Sequence, residues 1–424
     1  MSTIGGSRSR SGSLQTQSLH LAMLATTTTE VQDRAPGGDS RSYAVRVRTG
    51  TSSKIAVPFV DLGAVHTDMK GGLLAELADL IDSGQFVNGP QVAEFEGEFA
   101  AWCDVAYCVG TANGLDALRF SFLAAGLEPG DEVVLPAMTF VATAEAVTQA
   151  GGRPVLADIS EHDWNLDPIA AEAALTERTR FLLPVHLYGQ LADMEALGGL
   201  AVRRELLVVE DACQAHGAGR NGTRAGAVGI ASAFSFYPGK NLGAMGDAGA
   251  LVTSDARIAD EVLALREHGQ RRKYEHDAEG WTSRLDTVQA VVLLLKLPHL
   301  VEWNEQRRRA AALYTEALES VGDLRLPPVP RGSTPVWHLY VIRAAEPERL
   351  ATSLAGLGIA TGRHYPFPVH LTRAYESLGY REGAFPIAEA LGRECLSLPI
   401  FPGITEAQVT AVVDGIRDFF ARGA

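Results

Sequence analysis

The sequence is poor in cysteine. Its four cysteines (Cys103, Cys108, Cys213 and Cys395) form no CxxC pair and no His/Cys cluster, which excludes zinc ribbons and disulfide scaffolds and leaves no metal site to expect. Unpaired cysteines suit a reducing, cytoplasmic setting. Positive charge is also short. Against 51 Asp and Glu stand 37 Lys and Arg, for a net charge of −14; phosphate backbones attract the opposite balance, so no nucleic-acid partner is expected. Long apolar runs are missing too: Val291 to Leu295 is closed by Lys296, far too short to cross a bilayer. Nor is the first strand of the pattern followed by a GxGxxG turn and a distant acid, which argues against a dinucleotide-dependent oxidoreductase.

What is present is a globular composition, 46% hydrophobic and 21% charged, on a chain long enough for two domains. Residues 1–53 stand apart, rich in Ser, Thr, Arg and Gly with the run Thr26 to Thr29. Such a segment buries too little to offset the entropy of ordering, and disorder is expected. The weakly apolar stretch Leu19 to Ala25 makes a poor signal peptide, with no convincing cleavage site after it.

From Val57 short apolar runs alternate with helical spacing. Strands are expected at 105–109, 132–135, 154–159, 180–185 and 206–209, with helices over 114–125 and 139–149 between them. Strands without strict alternation, spaced by helices, imply a mainly parallel sheet covered on both faces. A long apolar-charged stretch runs from Leu285 to about Ala317, and a smaller α+β segment comes after it. The division expected is a large α/β domain over 54–300 and a smaller C-terminal domain over 301–424.

Two features point to chemistry. The run Leu206-Leu207-Val208-Val209-Glu210-Asp211 delivers an acid at the end of a buried strand, the edge where open α/β sheets place ligands; alone, Asp211 reads equally as a helix cap. Twenty-nine residues on, the strand Ser232 to Phe236 ends in Pro238-Gly239-Lys240, followed by a glycine-rich stretch to Gly249. A lysine amine and a carboxylate at strand ends fit pyridoxal phosphate (PLP), which needs an amine for a Schiff base, an acid for its pyridine nitrogen and a seat for its phosphate. Lys240 and Asp211 are the candidates for the first two. Ser235 and the turn Asn113-Gly114, at the start of a helix, suit the phosphate. Phe140 is placed to cover one face of the ring, with ordinary helix core as the competing account, and Gln214 to reach the phenolic oxygen.

The segments VGTANGLDALRF (109–120), PAMTFVATAEA (136–146), PVHLYGQ (184–190), VVEDACQAHGA (208–218), FSFYPGKNLGAMGDAGALV (234–252), SRLDTVQA (283–290), WHLYVIR (337–343), HYPFPVH (364–370) and LSLPIFP (396–402) resemble, in this order, the DegT/StrS-type sugar-nucleotide aminotransferases. The resemblance covers the chain from about Pro58 onwards. It implies the PLP-dependent transferase fold type I, with a seven-stranded sheet in the large domain and a homodimer with shared active sites. It makes Lys240 the cofactor lysine and proton shuttle, Asp211 the partner of the pyridine nitrogen and Gln214 that of the phenolic oxygen. Ser235, Asn113 and Gly114 become phosphate ligands, and Phe140 the stacking aromatic. Related dehydratases carry histidine at the lysine position, so Lys240 favours transamination.

The sequence also departs from the family. Where relatives often have Ser-Gly-Thr at the phosphate turn, this chain has Asn113-Gly114-Leu115, with Thr111 as a candidate to replace the lost hydroxyl. Thr282 stands where many have asparagine reaching across the dimer, a task Arg284 is placed to share. Cys213 replaces a common alanine and reads as a packed residue. The wording NGLDAL, QAHGA and FYPGKNLGA implies amination at C-3 of a dTDP-3-keto-6-deoxyhexose for antibiotic sugars, with L-glutamate as amino donor; a 4-keto substrate is the alternative, and a PLP-binding sensor without turnover a third reading. His338, His364 and Tyr365 are candidate substrate contacts. Arg363, His186 and Tyr188 read first as structural, and Arg307-Arg308-Arg309 as a solvated helix face or interface element.

Overall fold

The computed structural model describes Val57 to Gly423 and the backbone of Ala25–Thr28 and Arg46–Thr49. Those two four-residue strands pair antiparallel, with Thr27 opposite Val47. The rest of the 1–53 tail lies outside the described residues. Among the described residues no helix is long and apolar enough to cross a membrane.

The centre of the chain is a seven-stranded sheet. Its strands are β1 (Tyr107–Thr111), β2 (Glu132–Pro136), β3 (Arg153–Ala157), β4 (Thr179–Leu182), β5 (Leu207–Asp211), β6 (Ala231–Ser235) and β7 (Gly249–Thr253), in the spatial order β1-β7-β6-β5-β4-β2-β3. Neighbours from β3 through β6 are parallel. Only β7 runs against both β6 and β1. Alternate residues feed two separate cores: Val133, Leu135 and Val209 enter one, while Val134, Leu182 and Val208 enter the other. Burial on both faces explains why these strands read as unbroken apolar runs, each large side chain contributing roughly 1.5–3 kcal/mol.

Three differences from the expected elements have physical causes. Strand β1 begins two residues late, because Asp104 ends the preceding helix α1 (Pro90–Cys103) in the left-handed conformation and Val105 N–H closes back on the Ala100 carbonyl. Strand β7 hides in a glycine-rich sequence; a Cβ on Gly249 would come within 2.3 Å of the Asn113 backbone, so the close approach requires glycine. The long stretch from Leu285 divides into α4 (Thr287–Lys296) and α5 (Leu300–Leu318), broken where Pro298 cannot continue the helix. The strand ends that carry the site lead into α2 (Gly114–Ala124) after β1 and α3 (Ala142–Gln149) after β2.

Near the C-terminus β8 (Tyr340–Arg343) pairs antiparallel with β9 (Cys395–Leu398). Helices α5 and α6 (Glu406–Ala421) share a third core with these strands, built on Tyr314, Tyr340, Leu396, Val412 and Ile416. Thr405 and Gln408 form a reciprocal capping box that fixes the start of α6.

Candidate active site

Strands β5 and β6 lie side by side and parallel, with Asp211 opposite Ala233, so the segments leaving their C-terminal ends emerge at the same sheet edge. The Asp211 carboxylate is buried. One oxygen accepts from Thr143 Oγ1 at 2.7 Å and the other from the Cys213 amide at 3.2 Å. Since Thr143 donates to Asp211, the 2.7 Å contact between its oxygen and Thr139 Oγ1 must be donated by Thr139. Beyond β6 the chain makes a closed turn, with Lys240 N–H on the Tyr237 carbonyl and Ala244 N–H on that of Phe236. The turn leaves Lys240 half-buried. Burial pushes its amine below the ordinary lysine value, although the neighbouring Cys213 and Asp211 act in the opposite sense. An amine with a lowered pKa is a better nucleophile and base near neutral pH.

A second group forms where β1 meets α2. Asn113 caps α2, its side chain accepting from the Asp116 amide at 2.8 Å. Gly114 packs so tightly that a Cβ would lie 2.8 Å from both Cys213 Sγ and Ser235 Cβ. The Asn113-Gly114 turn and the start of the Lys240 loop are thereby in contact. With the cap taking the Asp116 amide, the first amides of α2 and the helix dipole remain to serve an anion. Thr111 does not replace the lost hydroxyl: it is fully buried and donates to the Asn113 carbonyl at 2.9 Å.

Phe140 is not helix core. It is 51% exposed at the end of β2 and lies 5.4 Å from the Tyr365 ring. Gln214 is buried, accepts from the Tyr188 amide at 2.7 Å and donates to the Tyr365 hydroxyl at 3.0 Å. Tyr188, at φ 59°, in turn donates its hydroxyl to the His364 carbonyl. The His364 ring stacks on Phe59 and contacts Ser397 Oγ at 2.8 Å; burial, then the Lys240 charge, push it down to about 4. His338 meets Asn241 Oδ1 at 3.3 Å, and burial, then the charges of Lys240 and Arg307, push it well below the ordinary histidine value. Because Asn241 Nδ2 donates to Asn304 and to the Val336 carbonyl, its oxygen is the acceptor, and His338 carries its hydrogen on Nδ1.

Two predicted residues stand apart. Within the protomer Thr282 is exposed and faces His268 at 3.1 Å, while Arg284 is ion-paired with Glu267 at 2.6 Å. Glu267 lines a separate cleft of 660 Å³ with Glu96, Arg266 and Arg271, none of which belongs to the Lys240 group. Between them, Ser283 does brace the Asn113-Gly114 turn, accepting from the Ala112 amide at 3.2 Å and donating to Asp116 at 2.6 Å.

Of the residues read as structural, His186 is buried on Glu210 at 2.8 Å, and Arg363 binds Glu348 and the Gly392 and Arg393 carbonyls. Arg307 is a correction. It is 3% exposed rather than solvated, because its guanidinium turns inward onto the carbonyls of Trp337, His338 and Ile400.

Sequence reasoning passed over Thr143, Ser283 and Glu210. Thr139 and Thr143, one helical turn apart in an apolar segment, were the available signal for the first. For Glu210 the signal was a second acid on a buried strand; Ser283 offered none. It also passed over a GxGxxG spacing at Gly217 to Gly222; this runs into the short strands Gly219–Arg220 and Thr223–Arg224 rather than into a helix, so it lacks the dinucleotide geometry.

The fold and the lysine–aspartate pair define an α/β enzyme of the group-transfer kind, built around the Lys240 amine. The profile of the DegT/DnrJ/EryC1/StrS aminotransferase family matches residues 68–417. The chain belongs to that family. It is 45% identical over 366 residues to dTDP-3-amino-3,4,6-trideoxy-alpha-D-glucose transaminase of Streptomyces venezuelae, covering 86% of this chain and 97% of the relative. It is 44% identical over 366 residues to the pleiotropic regulatory protein of Geobacillus stearothermophilus, covering 86% and 98%. Among solved structures, S. venezuelae DesV in complex with a ketimine intermediate superposes with a TM-score of 0.84 at 45% identity, over 86% of this chain and 98% of that one.

Proposed function

We propose that this chain is a PLP-dependent aminotransferase that moves an amino group from L-glutamate to C-3 of a dTDP-3-keto-6-deoxyhexose, in the making of deoxyamino sugars for antibiotics. The observation that carries the reading is the Lys240 amine, lowered by burial, beside the Asp211 carboxylate at adjoining strand ends. The Streptomyces relative, named for a dTDP-3-amino sugar, supports C-3 over C-4.

The residues present fit the cofactor. Gly114 lets the start of α2 close against Cys213 and Ser235, which sets helix-start amides beside the segments that carry the buried acid and the amine. When bound, PLP supplies an electron sink for the carbon that carries the nitrogen. Lys240 would hold it covalently, Asp211 its ring nitrogen, Gln214 its phenolic oxygen and Phe140 its ring face. Ser235 and the Asn113-Gly114 turn would hold the phosphate, Asn113 chiefly as the cap that orients the amides. Thr282 and Arg284 act across the interface of a homodimer. Lys240 Nζ takes the Cα proton of glutamate in one half-reaction, which ends in 2-oxoglutarate, and delivers a proton to the sugar carbon in the other. His338, His364 and Tyr365 line the sugar side, both imidazoles staying neutral there. Residues 54–300 serve as the cofactor domain and 301–424 as a smaller second domain, in a cytoplasmic protein.

The regulatory name of the Geobacillus relative keeps a sensor without turnover as a second reading; it too would hold PLP through Lys240 and Asp211, so turnover is what separates the two. Absorbance of the purified protein separates the two. An aminotransferase shows a lysine-linked chromophore that glutamate bleaches; a sensor shows colour that glutamate leaves unchanged. Lys240→Ala abolishes chromophore and turnover, and full turnover in that variant would refute the assignment. A panel of 3-keto and 4-keto dTDP sugars decides the carbon.

A further inference from the structure

Against the Lys240 turn lies a small cavity walled by Lys240, Asn241, Lys296, Arg307 and Asp61, with none of Asp211, Gln214 or Ser235 in its wall. Two of these residues are buried cations. Lys296, at the end of α4, is 2% exposed, and its ammonium finds one acceptor, the Gly243 carbonyl at 2.5 Å. Arg307, on α5, is 3% exposed; one of its nitrogens is shared among three carbonyls, while its buried Nε finds no acceptor among the described residues. An ammonium has three donors and a guanidinium five, so both are underused. Neither forms an ion pair within the described residues. The one acid on the wall, Asp61, caps the Ala64 amide at 2.9 Å. Buried charge is costly unless a counter-charge meets it, and burial alone pushes Lys296 down to about 8 and Arg307 to about 9.

We infer that this cavity is a binding site for a halide-sized monovalent anion, held between the Lys296 ammonium and the Arg307 guanidinium. Size selects the class. The space open to the centre of a water-sized particle is about 20 Å³, which suits a single-atom anion better than a phosphate or a glutamate carboxylate with its carbons. The anion would brace the turn that carries Lys240, since Lys296 grips that turn at Gly243. A Cβ on Gly243 would strike the Pro238 carbonyl at 2.3 Å, so the loop is already tightly closed and its backing is the part left to stabilise. The two cations call for a counter-ion whichever reaction the enzyme performs.

Crystals of the wild-type holoenzyme grown in sodium bromide test it directly: an anomalous peak is expected between Lys296 and Arg307, and water alone at that position overturns the proposal. In solution, the melting midpoint of the holoenzyme at constant ionic strength should rise by about 2 °C or more as gluconate is replaced by chloride, saturating with a single affinity. Equal midpoints in the two salts count against it. Lys296→Met should remove the chloride-specific rise; a variant that keeps it overturns the site. The bromide experiment on wild type stands even where that variant folds poorly.

Discussion

Glu210 and Asp211 are adjacent on β5, both buried, and they point to opposite faces of the sheet. Glu210 is saturated. One oxygen accepts from the amides of Val228 and Gly229 and from Ser232 Oγ, the other from the Gly226 amide and His186 Nε2, all within 3.0 Å. His186 Nδ1 accepts from the Ala192 amide, so its hydrogen sits on Nε2 and goes to Glu210. Burial acts to raise the Glu210 carboxyl, but the bonds from His186 and the glycine amides outweigh it and hold it below its ordinary range. Asp211 has two donors, Thr143 and Cys213, and a carboxylate has about four lone-pair sites. The unspent capacity, not the burial, marks the acid that works on something else.

The strongest way to break that contrast is to exchange the losses. Glu210→Ala strands His186 and several amides and should cost about 3–5 kcal/mol of stability, measured by chemical denaturation. Asp211→Asn should leave stability within about 1 kcal/mol, since an amide oxygen still accepts from Thr143. It should lower turnover roughly 10²–10³-fold, the scale seen when one electrostatic partner of the reacting centre is removed. Near-normal turnover in Asp211→Asn would reduce that acid to a cap.

Acid sharpens the contrast next. Burial and then the Lys240 charge hold His364 at about 4, and the same causes hold His216, between Phe234 and Phe236, at about 3. Both lie below the unfolded value of about 6.5. Between those values the unfolded chain binds protons that the folded chain refuses, so stability is full above pH ~6.5 and lost as pH falls through ~4. Glu210, depressed on the other face, adds its loss only below its unfolded value of about 4.5. His364→Gln should therefore reduce the slope of the stability curve between pH 6.5 and 4, with the His216 share remaining; an unchanged curve over that interval would show that His364 does not contribute to it.

A smaller effect is expected from Thr143→Val, which removes a donor to Asp211 and strands Thr139. The loss of a bond to a charged acceptor is worth about 1.5 kcal/mol at the low end, which corresponds to a fall in turnover of roughly tenfold with cofactor still bound.

Asp211 and Lys240 were legible because each comes after an apolar run at the same sheet edge, a relation that sequence order alone conveys. The glycine-rich β7 was not, since its glycine at 249 answers to the backbone of Asn113, far away in the chain. Arg307 misled for a similar reason. Its neighbours Arg308 and Arg309 do pair with surface acids, and nothing local distinguishes the one whose helical position turns it towards the β8 region and Ile400. Thr282 and Arg284 remain legible only through the family resemblance, because within one protomer they face Glu267 and His268 instead of the Lys240 group.

Asn113 gives the finest test of what sequence and structure each assign. Sequence reading makes it a phosphate ligand, but its side chain is spent on the Asp116 amide, so its service to an anion runs through the helix it starts. Asn113→Ala should cost about 1 kcal/mol of stability, the usual loss of an N-cap, and Asn113→Ser should restore nearly all of it because a hydroxyl caps as well. Phosphate competition with cofactor should move in step with the cap, weakened in the alanine variant and recovered in the serine one. A serine variant that restored stability but not anion affinity would instead require the amide group itself as the ligand, and the capping account of this turn would fall.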